Sequence, residues 1–128
     1  MKQLIMSIFF VTLTGCALGQ GLVNAPQKVS DLSDAAEITI KRDDSFMGSG
    51  QTITFTIDGQ EIYKFRSGDQ YSFKIDPREF LFGVKCAGGW QMWGNVSELA
   101  VEIKPRNTYV FRIIPDMSIG CRIERSSQ

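Results

Sequence analysis

Residues 52–65 have the sequence TITFTIDGQEIYKF, and this stretch decides the fold. Ile53, Phe55 and Ile57 alternate with threonines, which is the period of a strand with one buried face. Asp58-Gly59 follows at once, and because Gly accepts the positive φ of a type I′ turn, this dipeptide predicts a tight hairpin. The stretch therefore predicts two antiparallel strands, the second running from Gln60 to Phe65.

The same alternation recurs along the chain from Glu37 onward. The further predicted inward rows are Ile38 and Ile40; Tyr71, Phe73 and Ile75; Phe80, Phe82, Val84 and Cys86; Leu99, Val101 and Ile103; Tyr109, Phe111 and Ile113; and Ile119, Cys121 and Ile123. Seven to eight short strands without an amphipathic helix predict an all-β, antiparallel β-sandwich of the immunoglobulin-like or transthyretin-like kind. A closed small barrel is the competing architecture.

Length and composition limit the function classes. The chain has 128 residues, 43% of them apolar, which is enough for one core. Fourteen basic and fourteen acidic residues cancel, so a nucleic acid is not expected as a partner. The absence of His removes the commonest general base and the most frequent zinc ligand. We therefore expect a chain that is not an enzyme and uses no metal or cofactor.

The N-terminus carries a targeting signal. After Met1-Lys2 comes a mostly apolar stretch of ten residues, Leu4–Leu13, whereas a membrane-spanning helix needs about 20. The stretch ends in Leu13-Thr14-Gly15-Cys16, which resembles the lipobox of bacterial lipoproteins. That resemblance implies cleavage after Gly15, a diacylglycerol on Cys16 and usually a third acyl chain, which together anchor a chain stably. The alternative is an ordinary secretory signal with a coincidental Cys.

The resemblance also implies a location. Ala17, rather than Asp, follows the modified Cys, which in Gram-negative lipoproteins usually accompanies transport to the outer membrane. We expect the protein on the periplasmic face of that membrane; in a host with a single membrane the motif would place it on the outside of the cell. The chain after residue 15 has thirteen basic and fourteen acidic residues, so its net charge gives no reason to bind anionic lipid.

The expected domain organisation has three parts: a cleaved signal peptide at 1–15, the lipidated Cys and a flexible tether at 16–35, and the sandwich at 36–128. The segment from Ala17 to about Asp34 is rich in polar residues and Gly and shows no period. If flexible, it has a reach of roughly 24 Å. An alternative for residues 29–36 is one short helical turn against the domain.

Two cysteines remain once Cys16 is lipidated. Cys86 and Cys121 lie in phase with apolar neighbours on predicted strands, and disulfides persist in an oxidising compartment. We predict a disulfide between them, worth roughly 4 kcal/mol for a loop of this size. The alternative is a pair of buried thiols.

Both tryptophans fall in residues 88–95, GGWQMWGN. Trp90, Met92 and Trp93 offer a large apolar area for a protein partner, a glycan ring or an acyl chain. The other interpretation is that a Trp closes the open end of the core. The chain's Asp residues lie mostly where turns favour Asp, which argues against a paired-acid glycosidase.

Residues 36–115 resemble a domain-of-unknown-function family of small bacterial lipoproteins and periplasmic proteins. The resemblance is carried by Lys41-Arg42, the Ser/Gly stretch at 45–50, the hairpin at 56–60, the aromatic strand at 67–73 and Lys104-Pro105-Arg106-Asn107-Thr108-Tyr109-Val110-Phe111. The chain departs from the family at Pro77-Arg78, where Pro-Gly is usual, and at Arg106-Asn107, where a Gly usually precedes the Tyr. The resemblance implies a carboxypeptidase-regulatory-like β fold and supplies no catalytic residues.

Together these features favour a non-enzymatic outer-membrane lipoprotein that acts as a binding or envelope-maintenance module. Its expected partners are the membrane, through Cys16, and a protein of the cell envelope. Two alternatives remain: an accessory lipoprotein of a secretion or conjugation machine, and an inhibitor or exclusion factor against a hydrolase or a phage.

Overall fold

Alternating apolar residues build eight strands in the computed structural model, which describes residues 21–44, 52–86, 96–116 and 120–126. The strands are β1 (Ala36–Arg42), β2 (Ile53–Ile57), β3 (Gln60–Phe65), β4 (Gln70–Ile75), β5 (Glu79–Cys86), β6 (Val96–Glu102), β7 (Thr108–Asp116) and β8 (Gly120–Arg125). They form two four-stranded sheets, in the orders β4-β1-β7-β8 and β3-β2-β5-β6. The predicted all-β sandwich is confirmed, and no helix occurs in the described ranges.

The β2–β3 hairpin turns through Asp58 and Gly59, whose φ values of 50° and 82° are both positive, as a type I′ turn requires. The register shifts inside the hairpin, since Phe55 pairs with Tyr63 but Thr56 pairs with Glu61. One extra residue therefore lies on β3 as a bulge, which leaves both Ile62 and its neighbour Tyr63 buried.

One strand pairing is parallel. β1 pairs antiparallel with β4 but parallel with β7, with Ile38 opposite Tyr109 and Ile40 opposite Phe111. The other pairings within both sheets are antiparallel. β1 and β7 thus occupy the middle of their sheet, so the inward residues of both strands are fully covered.

The core combines isoleucines with a set of aromatic rings that joins the two sheets. Phe82 of β5 meets Phe111 of β7 edge to face, with 5.1 Å between ring centroids, and Phe55 meets Phe82 in the same way at 5.4 Å. The predicted inward rows are buried on the central strands. Tyr71 and Phe73 of β4 and Leu99 and Val101 of β6 are only partly buried.

The sandwich has two distinct ends. The loop end carries the connections at 43–52, 66–69, 87–95 and 117–119, and the turn end carries those at 58–59, 76–78 and 103–107. β1, β3, β5 and β7 run toward the loop end, and the other four strands run away from it. Ile119, predicted to face inward, lies outside the described residues.

The segment that precedes β1 is hydrogen-bonded to the sandwich. Residues 21–34, here called the strap, run antiparallel along the free edge of β3 from the loop end toward the turn end. Lys64 N donates to Gly21 O at 2.6 Å, and Val23 N donates to Ile62 O at 2.8 Å. Farther along, Ser30 Oγ donates to Asp76 Oδ2 at 2.9 Å. Of the residues expected to form a flexible tether, Gly21, Val23, Asn24 and Ser30 are therefore hydrogen-bonded to the domain.

The strap ends in a turn before β1. Asp31 Oδ1 accepts hydrogen bonds from the backbone and the hydroxyl of Ser33, and these bonds lower the pKa of Asp31. Arg106 then joins the strap to the turn end, since its Nη1 lies 3.1 Å from Asp34 Oδ1. The chain enters β1 from a position fixed by backbone and side-chain contacts.

Candidate functional site

The residues expected to carry function divide into two groups. Cys16, Trp90, Met92 and Trp93 lie outside the described residues. Cys86 and Cys121 lie inside them, on the last residue of β5 and the second of β8. Because β5 ends at Cys86 and β6 begins at Val96, the connection that contains the tryptophans leaves and rejoins the sandwich at the loop end.

Cys86 and Cys121 come together across the two sheets at disulfide distance. Their Cα atoms are 6.0 Å apart, within the usual range for a disulfide, and both side chains are buried. The pair brings β5 of one sheet next to β8 of the other, near the loop end. This placement fits the disulfide that the phase of the two residues predicts.

Tyr63 and Tyr71 close the opposite side of the sandwich. Their rings are nearly parallel, with 4.7 Å between centroids, and they bring β3 of one sheet against β4 of the other. Burial, together with the neighbouring Tyr63, raises the pKa of Tyr71. Gly21 of the strap lies directly on Tyr63, so close that a Cβ at this glycine would come within 2.6 Å of the Tyr63 ring. The strap therefore depends on glycine at its first described position.

A buried arginine lies at the loop end beside this edge. Arg42 is only 3% exposed, and its Nη1 donates to Phe65 O at 2.7 Å. Burial lowers the pKa of Arg42, and the Asp69 carboxylate opposes that shift. Arg42 continues the inward phase of Ile38 and Ile40. Alternation alone would have placed it inside.

The turn end holds a shallow cleft of about 110 Å³ around Arg78. The guanidinium of Arg78 lies 3.9 Å from the centre of the Phe80 ring and 3.0 Å from Asp58 Oδ2. Asp58 also accepts a hydrogen bond from Leu81 N at 2.9 Å. The Arg78 side chain ties the β2–β3 turn to β5. The residues that line the cleft are Arg78, Phe80, Asp58, Gln27, Ile57, Gln60, Ile62 and Ile75.

The carboxylates considered for acid–base chemistry are held in turns and ion pairs. Asp43 accepts two hydrogen bonds from Arg112, whose pKa they raise. Asp69 Oδ2 accepts from the backbone N of Arg66 at 2.8 Å, which closes the β3–β4 turn. Asp44 accepts from the Ser67 hydroxyl at 3.0 Å. These contacts agree with the turn roles that the sequence favoured for Asp.

Two chemical features are absent from the part of the chain that the structure describes. It contains no group of three or more His, Cys, Asp or Glu side chains arranged to hold a metal ion. It also contains no helix of the length and apolarity needed to span a bilayer.

The fold and these contacts define a class: an all-β sandwich with a cysteine pair between its sheets. No family model matches the chain, and no curated protein matches it. A similar solved structure is the NMR structure of a protein from Eubacterium rectale, which is 13% identical. The match covers 79% of this chain and 97% of that one, with a TM-score of 0.47.

Proposed function

We propose that this protein is a lipid-anchored, non-catalytic β-sandwich that serves as a binding or envelope-maintenance module at the periplasmic face of the outer membrane. The observation that carries the proposal is Leu13-Thr14-Gly15-Cys16, placed directly behind a ten-residue apolar stretch. Two or more acyl chains on Cys16 would give stable membrane attachment, which one chain does not.

The cysteine geometry supports this assignment of Cys16. Cys86 and Cys121 are buried and lie at disulfide distance from each other, so neither offers an accessible thiol. Cys16 is then the one cysteine of the three that is left for modification. A disulfide between the other two also suits an oxidising compartment outside the cytoplasm.

The carboxylate contacts support a role that is not catalytic. Retaining and inverting glycosidases need a pair of carboxyl groups facing a shared substrate site. In the described residues Asp43, Asp58 and Asp76 instead face Arg112, Arg78 and Ser30, respectively. These side chains stabilise connections between strands and do not face a shared substrate site.

The anchor is tested by metabolic labelling with an alkyne analogue of palmitate. Labelled protein is expected for the wild type and for the matched variant Cys86→Ser/Cys121→Ser, and no label is expected for Cys16→Ser. The wild-type label is expected in the outer-membrane fraction of a density gradient. Label that survives Cys16→Ser would contradict the proposal.

The partner surface proposed from the sequence is Trp90, Met92 and Trp93. After crosslinking in native envelopes and affinity purification, the wild type should recover a protein partner that Trp90→Ala/Trp93→Ala does not. The control is Leu32→Ala, which removes an apolar side chain that is 70% exposed on the strap. Identical partners from the wild type and the Trp variant would reject these residues as the contact. A recovered secretion-complex subunit, or inhibition of a muramidase by the protein, would instead identify one of the alternative roles.

A further inference from the structure

We infer that the free edge of β3 is an acceptor site for an extended peptide segment of another protein, and that the strap occupies this site as a removable cover. The site lies on the side of the sandwich and is distinct from the tryptophan residues. The inference therefore goes beyond the proposed function and depends neither on the lipid anchor nor on those residues.

The strap binds β3 as an added strand would. β3 is the last strand of its sheet, so its outer backbone groups face away from β2. Lys64 N donates to Gly21 O at 2.6 Å, and Ile62 O accepts from Val23 N at 2.8 Å. An antiparallel bridge joins the two segments between these bonds. This is the pattern by which an extended peptide adds to an exposed sheet edge.

The strap is attached through groups that lie at the surface. None of the side chains of residues 21–34 is buried, and Leu22 and Val23 are 42% and 41% exposed. The ion pair between Arg106 and Asp34 is exposed as well, and exposed pairs contribute little to stability. Segments with few buried apolar contacts open at a lower free energy than the core does. The strap can therefore leave β3 while the sandwich stays folded.

Release of the strap uncovers apolar side chains as well as backbone groups. Gly21 lies on the ring of Tyr63, and Gln27 lines the same cleft as Ile62. Of the four strands at sheet edges, β3 has the most buried residues: three, against one in β4, none in β6 and two in β8. An uncovered edge of this kind favours pairing with another strand.

The strap also shows which segment the edge accepts. A glycine is required at the first position, because a Cβ on Gly21 would collide with the Tyr63 ring. An asparagine is used three residues later, since Asn24 Nδ2 donates to Glu61 O at 2.8 Å. The two residues between them are exposed, so their types matter less. The expected partner therefore carries an extended segment with the pattern Gly-x-x-Asn.

The strap competes with such a segment because it belongs to the same chain. A segment tethered by a short linker has an effective concentration of about 1 mM. A free segment of equal affinity therefore displaces the strap only above about that concentration. Once the strap has been released, the same segment binds without this competition.

The test uses the chain from residue 16 onward, which contains every described residue, with Cys16→Ser to prevent pairing through that thiol. Gly21→Val/Val23→Pro releases the strap, because it adds a side chain over Tyr63 and removes the donor to Ile62 O. The matched control is Leu32→Ala, which changes the strap away from β3. The probe is an acetylated synthetic peptide of residues 21–28 with a fluorophore on its lysine, and its binding is followed by anisotropy.

The released variant should bind the peptide about tenfold or more tightly than the wild type and Leu32→Ala do, because its strap no longer competes. Peptides with valine for the glycine, or alanine for the asparagine, should bind more weakly. Bound peptide should slow hydrogen exchange at the Lys64 amide of the released variant, and unchanged exchange in β1 and β7 shows that this variant is folded. In the wild type, peptide above about 1 mM should quicken exchange at the Val23 amide as it displaces the strap.

Equal peptide affinity of the wild type and the released variant, or binding that leaves the Lys64 amide unprotected, would overturn the inference. A dimer of the released variant that excludes the peptide would also overturn it, because the edge would then belong to a second copy of this chain. These measurements use purified protein, so they are independent of the acylation and the partner recovery that test the proposed function.

Discussion

The ring of Tyr63 on β3 stacks on the ring of Tyr71 on β4 with 4.7 Å between centroids and 15° between ring planes. Across the sandwich, Cys86 of β5 and Cys121 of β8 come together between the same two sheets. The two sheets thus meet on one side through a tyrosine stack that the strap covers, and on the other side through a cysteine pair. Each joint can be disturbed separately.

The tyrosine pair predicts a loss of stability at alkaline pH. Burial raises the pKa of Tyr71, so the folded chain holds this proton more tightly than the unfolded chain does. The stabilisation is fully present below about pH 10, the ordinary tyrosine value, and is lost as the pH rises above it. Urea unfolding at pH 8 to 11 should show a steeper decline for the wild type than for Tyr71→Phe. Equal slopes for the two proteins would contradict the prediction.

Gly21→Ala should release the start of the strap. The added Cβ would collide with Lys64 O and the Tyr63 ring, so the backbone pairing of Gly21 and Val23 with β3 should be lost. Each lost hydrogen bond costs about 1 kcal/mol. Hydrogen exchange at the amide of Lys64 should quicken about tenfold or more. Leu32→Ala, in the same segment but without such contacts, should exchange like the wild type; unchanged exchange in Gly21→Ala would show that the strap tolerates a side chain.

Gly83→Ala should destabilise the centre of the second sheet. Thr56 and Glu98 fold over Gly83, so a Cβ there would come within 2.5 Å of Thr56 Oγ1 and 3.3 Å of Glu98 Cγ. Overpacking of this kind costs about 1 to 3 kcal/mol in the free energy of unfolding. Thr56→Ala removes the obstructing atom, and the double variant should lose less than the two single variants together. Thr54→Ala, two pairs along β2, should give no such relief; additive losses with Thr56→Ala would refute the steric account.

Among the changes predicted here, removal of the cysteine pair should lower the free energy of unfolding the most. Cys86→Ala/Cys121→Ala is expected to lower the free energy of unfolding by about 4 kcal/mol, out of a typical total of about 5 to 15. Cys16→Ala should leave that free energy unchanged. Intact mass after alkylation should show two additional reactive thiols only after reduction. Two such thiols in the unreduced protein would mean that the pair is not bonded.

Much of the fold could be predicted because burial imposes a two-residue period. The β2–β3 hairpin has the strand limits and the turn that the sequence predicts, since both Asp58 and Gly59 take a positive φ, but the bulge that buries Ile62 beside Tyr63 is not in the alternation. Leu99 and Val101 of the edge strand β6 follow the predicted phase but are only partly buried, whereas Cys121 of the edge strand β8 is fully buried. The period identifies a strand's inner face but not its place in the sheet.

The parallel pairing and the strap could not be predicted in this way. Ile38 and Tyr109 are 71 positions apart, and nothing in their local sequence specifies that they become neighbours. The strap pairs through backbone groups, which every residue carries, so Gly21 and Val23 show no pattern of side chains. For the anchor and the tryptophan residues, the sequence remains the source of the prediction.

The parallel contact between β1 and β7 has a consequence for how the chain acquires its structure. The first sheet places an early strand between two later ones, so β1 stays without neighbours until β4 and then β7 have been made. Contacts between residues so distant along the chain slow the search for the native state. A chain synthesised from its N-terminus therefore completes this sheet only after β7 and β8 have been made.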